Sequence, residues 1–224
     1  MTISFHSLMA FFHVFLFVYA IGGDVAVHYI GKYLTRSDLS IEERLRVRNM
    51  RFIVDMSARS SLVLLLAIGF TLAKLYGSPI TGVWLAAVWV ADLTWLWLVW
   101  LVHFNKGTPR GLILQRIDIG IRYALIAAMG GFGFYCLITG GPIQHDWLSI
   151  KIILFAAILS TGVWIRKIAS RWPLAFELVQ AGGDYAVKGE HMIKEIQSRA
   201  NKAALLIWIL VVLMAFFGEV KPYF

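Results

Sequence analysis

Six separate runs of mostly apolar residues, near 7–30, 52–75, 82–104, 113–138, 147–165 and 202–218, leave this chain few ways to fold. A hydrocarbon core about 30 Å thick is crossed by roughly 20 helical residues, and each run is of that order. Inside lipid every backbone donor and acceptor must be satisfied within the segment or a closed sheet, so runs of this kind become helices. Composition agrees: of 224 residues 59% are hydrophobic and 15% charged, with a mean hydropathy of +0.73. The expectation is an all-α integral membrane protein, one domain over 1–224, built as a six-transmembrane-helix bundle. The first run has no basic n-region and continues into Gly22-Gly23-Asp24 rather than a cleavage site, so it reads as a retained helix.

The basic residues set the expected orientation. Sixteen of the 21 Lys and Arg fall in the connections after the first, third and fifth spans, among them Arg44, Arg48, Arg51, Lys106, Arg110, Arg166 and Arg171. The positive-inside rule places those connections in the cytoplasm and both termini on the outer, periplasmic side, as in a multi-pass protein of a bacterial inner membrane. The formal charge of +8 is thereby explained by topology and the lipid bilayer, with no case for nucleic acid. One cysteine, Cys136, excludes an intrachain disulfide.

Two of these connections carry helix signals. Ser40-Ile-Glu-Glu43 fits a capping box that starts a helix running into the second span. After Pro173 and the Gly182-Gly183 break, Glu190/Lys194 and Glu195/Arg199 stand at i,i+4 and predict a helix projecting from the bundle before the sixth span.

Ionisable residues within the spans are costly in hydrocarbon, so they face the bundle interior and often mark function. At about 1.5 Å per residue they sort into layers. His13 and Lys151 fall in the outer third, Asp92 near the midplane, and Asp24, His28, Asp55, Arg59, His103, Asp118 and Arg122 in the cytoplasmic half. Asp55/Arg59 and Asp118/Arg122 are i,i+4 pairs. They read either as internal ion pairs or as two arginines facing one cavity that binds a carboxylate or haem propionate. Gly22-Gly23 suits close approach of a helix or a flat cofactor, packing being the commoner reason. Of the five tryptophans in the third span, Trp84 and Trp100 read as interfacial, while Trp89, Trp95 and Trp97 either pack or line a pocket.

The first span, with His13 followed ten residues later by Gly23, resembles the opening helix of the bacterial membrane haem proteins that include the J-type protoporphyrinogen oxidase. The stretch DWLSIKIILFAAIL, residues 146–159, is similar to that family's Trp-Leu-His-x-Lys helix start, and the ending EVKPYF to its terminal Val-Lys-Pro. The same features resemble the wider copper-resistance D-like superfamily, and they cover the first two and last two spans. The oxidases look like four-helix proteins, so the third and fourth spans depart from that pattern. Ser149 stands where the motif has histidine, and an apolar or aromatic stretch around Tyr29 replaces an expected arginine. The resemblance implies a haem-associated fold with haem b ligated by His13, its metal ligand, and with Lys151 and Gly23 at the pocket. Arg59 and Arg122 are the candidates for propionates; His28 and His103, at matching depths, form a competing ligand set.

Two functions of different class follow. The first is a b-type haem protein in electron transfer or oxidation of a lipophilic or porphyrin-like substrate, with quinone or a membrane redox protein as partner. The second is a transporter or permease in which the Asp/Arg/His layer acts as a relay; a structural or assembly subunit of a larger membrane complex is the third option. No nucleotide-binding glycine loop, covalent-haem Cys-x-x-Cys-His or zinc His-Glu-x-x-His occurs in the sequence, and whether the chain is an enzyme is left open.

Overall fold

A computed structural model describes residues 4–222, so the last two residues of the EVKPYF ending lie outside the described part. The chain folds into α1 (Phe5–Tyr33), α2 (Ile41–Ala73) with a 3-10 turn at Lys74–Tyr76, α3 (Gly82–Phe104) and α4 (Pro109–Thr139). α5 (Asp146–Ala169), α6 (Trp172–Ala181) and α7 (Gly183–Val220) complete it. Six helical segments are long and apolar enough to cross a membrane, α6 extending the fifth of them. The third span matches its expected range; the others run beyond theirs into the connections.

Local signals start and stop these helices. The Ser40 side chain accepts the Glu43 amide at 3.2 Å and caps α2, but the Glu43 carboxylate takes the Tyr33 hydroxyl at 2.8 Å. The capping box is therefore half made, and its glutamate ties the end of α1 to the start of α2. Thr108 caps α4 in the same way, with Pro109 in the first turn. Gly140 ends α4 in the left-handed region at φ 61°.

The spans pack in chain order as a ring in which α2 joins α1 to α3, α4 joins α3 to α5, and α5 and α7 complete the circuit. α1 lies mainly on α2 and touches α7 lightly. Gly23 makes the α1–α2 approach close: a Cβ there would stand 2.8 Å from Ser57 Oγ and 3.2 Å from the Ala58 amide nitrogen. Gly22 has nothing within 4 Å, so only one member of the pair is a packing residue. The far face of α1 presents Phe11, Phe15 and Tyr19 outward as an aromatic ladder.

At the end of the bundle carrying the basic connections, α6 is a helix where the sequence indicated only a break. Gly182 and Gly183, at φ 78° and 53°, reverse the chain so that α7 runs back along it. Gly189 permits the contact, because a Cβ there would meet the Val179 amide at 2.7 Å and the Ala175 carbonyl at 2.9 Å. α7 has 38 residues, about 57 Å at 1.5 Å each, so it projects past the bundle as expected. The Glu195–Arg199 pair forms at 2.8 Å. Glu190 instead leaves Lys194 and pairs with Arg44, whose guanidinium contacts its two carboxylate oxygens at 2.5 and 3.1 Å. Arg44 also donates to the Leu34 carbonyl at 2.9 Å. A bidentate partner on a buried arginine outweighs an exposed pair on one helix.

Candidate functional site

Because α1 leans on α2 and only brushes α7, a cleft remains between the α1–α2 pair and the α5–α7 pair. Two cavities lie in it. One, of about 160 Å³, is walled by Asp24, Arg51, Arg59, Arg166 and Trp208, among others; the second, of about 80 Å³, is lined by His13, Gly69, Phe155, Lys151 and Met214. α4 contributes Arg122 to the first and Met129 to the second, and α3 contributes nothing to either. Side chains one turn apart divide the two cavities: Leu62 from Leu65 on α2, Ile158 from Phe155 on α5, Val211 from Met214 on α7. The collar is apolar on all three helices.

In the smaller cavity the Nδ1 of His13 is buried and has no hydrogen-bond partner among the described residues. Its Cε1 lies 4.0 Å from where a Cβ on Gly69 would stand, so α2 presents bare backbone to the ring. Lys151 reaches across toward α7, its Nζ occupying the space beside Gly218, where a Cβ would come within 2.5 Å of it. Phe70, Phe155, Met129 and Met214 make the remaining wall apolar. The pairing of His13 with Lys151 in one layer is therefore realised as one cavity.

The larger cavity holds the charge. Arg59 pairs with Asp55 at 2.5 Å. Asp118, fully buried, accepts Trp95 Nε1 at 2.9 Å and Arg122 Nε at 3.2 Å and forms a short ion pair with Arg166. Asp24 accepts Trp208 Nε1 at 2.7 Å, which bridges α1 to α7. Arg48 and Arg51 have no carboxylate partner among the described residues; they lie over the rings of Phe176 and Trp172. Five arginines line the cavity, and Asp24, Asp55 and the adjoining Asp118 leave them an excess of two positive charges. Outside the spans, Lys106 lies over the Phe52 ring, where desolvation first and then Arg48 and Arg59 bring its pKa down to about 8.

Arg59 and Arg122 do face one cavity, and Asp24 lies on the cleft face of α1 with His13. The cleft nevertheless puts the two arginines beyond the collar from His13. His28 lines the arginine cavity against Trp208, whereas His103 lines neither cavity and contacts Trp100 and Phe104. Gly23 serves helix packing. Trp95 is buried on Asp118, Trp89 donates to Thr71 at 3.0 Å, and Trp97 is exposed on the bundle surface. Asp92 is buried outside both cavities, and neither carboxylate oxygen has a hydrogen-bond partner among the described residues. Sequence reasoning missed Arg48, Arg51 and Arg166, which read as connection charges because each lies at or beyond the edge of an apolar run, beside other basic residues. No family model, curated protein or solved structure matches this chain.

Proposed function

We propose that the protein is a membrane-embedded b-type haem protein, in electron transfer or oxidation of a lipophilic or porphyrin-like substrate, with quinone or a membrane redox protein as partner. The observation that carries this reading is the buried, unpartnered Nδ1 of His13 in an apolar cavity shared with Lys151. A rigid imidazole, aromatic and thioether walls and a nearby cation are the donor chemistry a haem site requires, and haem would supply one-electron chemistry there. In this reading His13 would ligate the haem iron, Lys151 would supply positive charge for a propionate, and Phe70 and Phe155 would keep water from the site. The cavity's 80 Å³ is below the roughly 300–1,000 Å³ of cofactor pockets, so a haem would need the cleft to widen. The lightly packed α1–α7 seam is the place for that.

The orientation proposed with it has both termini outside the inner membrane of a bacterium, supported by the clustering of Lys and Arg at one end of the bundle. A reporter fused after residue 224 should signal on the outer side, and a cytoplasmic signal would overturn it. One observation favours a second reading: two cavities aligned across an apolar collar suit a transporter whose cleft opens alternately to each side. The discriminating experiment is the absorption spectrum and pyridine haemochrome of protein purified from haem-replete cells. The haem reading expects a Soret band that His13→Ala abolishes and the His28→Ala/His103→Ala double variant keeps. A colourless parent would sink it and leave the transporter reading.

A further inference from the structure

We propose that the arginine cavity binds the dianionic phosphate headgroup of a membrane amphiphile, with its apolar chain directed along the cleft. This site stands on the other side of the collar from His13 and does not rest on the haem reading. Three observations point to it. First, the positive charge is not consumed internally: Asp55 and Asp118 serve Arg59, Arg122 and Arg166, and the Asp24 carboxylate takes the Trp208 indole. Arg48 and Arg51 are left over. Second, donors are idle: Arg122 is only 4% exposed and its Nη2 is buried without a hydrogen-bond partner among the described residues, as is Arg48 Nε. A buried guanidinium N–H without an acceptor is costly, and arginine forks are matched to phosphate oxygens.

Third, the cavity is amphiphilic along its length. Arg48, Arg51 and Asn201 line its basic end, while Leu62, Ile158 and Val211 line the end toward the collar. An excess of two charges matches a phosphomonoester, which carries about −1.5 to −2 at neutral pH. The 160 Å³ is room for about five waters at roughly 30 Å³ each, enough for a phosphoryl group and its first linking atoms. The remainder of the amphiphile must leave the enclosed space, and α1 meets α7 lightly beside the cavity.

Trp172 and Trp208 line the cavity, so binding can be read by tryptophan emission of the detergent-purified full chain. Titration with short-chain phosphatidic acid should give a saturable change that phosphatidylcholine of the same chain length does not, with phosphatidylglycerol, a monoanion, at least tenfold weaker. Arg51→Gln should weaken phosphatidic acid about tenfold, and Arg48→Gln does the same duty if Arg51→Gln fails to fold. Arg36→Gln, on an exposed residue paired with Asp38, should change nothing. Equal affinity for phosphatidylcholine or phosphatidylglycerol, or unchanged affinity in both cavity variants, overturns the proposal. Inorganic phosphate binding as tightly as phosphatidic acid overturns the amphiphile in favour of a free anion.

Discussion

Asp118→Leu removes a carboxylate that holds three helices together in the middle of the charged layer. Asp118 is wholly buried; its Oδ1 takes the Trp95 indole of α3, and its Oδ2 takes Arg122 of α4 and Arg166 of α5. Removing one member of a buried pair costs about 3–5 kcal/mol, because the other charge stays buried and uncompensated. Here two guanidiniums and an indole lose their acceptor together, which places the loss near the upper end, about 5 kcal/mol. For a chain of this size each kcal/mol moves the midpoint by about 2–4 °C, so thermal unfolding followed by helical circular dichroism in detergent should shift down by about 10–20 °C. The informative comparison is the rescue. Asp118→Leu/Arg122→Leu should remain destabilised, because Arg166 is still charged, and adding Arg166→Leu should recover most of the loss. At the self-contained pair, Asp55→Leu/Arg59→Leu should recover most of the cost of Asp55→Leu by itself. If the Asp118/Arg122 double variant proved as stable as the triple, the Arg166 contact would carry no weight and the three-helix account would fail.

Arg44→Met should cost less than the about 3–5 kcal/mol of a fully buried pair, because the Glu190 it strands is only partly buried, and Arg44→Met/Glu190→Met should recover part of it while the Leu34 carbonyl stays unpaired; denaturant midpoints measure both. Gly23→Ala should lower stability by about 1–3 kcal/mol by forcing α1 off the α2 backbone, whereas Gly22→Ala, facing open space, should stay within about 0.5 kcal/mol. Asp92→Leu should be neutral or stabilising in the same melts, since it removes two buried oxygens that have no partner among the described residues. Lys106 has a folded value of about 8, below its ordinary 10.5, so the unfolded chain binds more protons between those limits and stability should rise with pH across that window. Lys106→Met should flatten that rise.

Six apolar helices and the all-helical class were legible in the sequence, because hydrocarbon thickness and helical rise act on each segment separately. His13 and Lys151 could be assigned a common depth from their spacing, and Asp55/Arg59 could be paired, because an i,i+4 contact is a property of one helix. Which side chains share a cavity is a property of how helices lean on one another. A one-glycine contact at Gly23 draws α1 onto α2 and leaves the cleft beside α7. That tertiary choice set His13 and Lys151 on one side of an apolar collar and Arg59 and Arg122 on the other. It also drew Arg166 from a basic connection to Asp118, and Glu190 from its helical neighbour to Arg44. In sequence, a lysine or arginine at a helix end looks the same whether it faces headgroups or a buried carboxylate. The difference lies in desolvation and partner geometry, which exist only once the helices have packed.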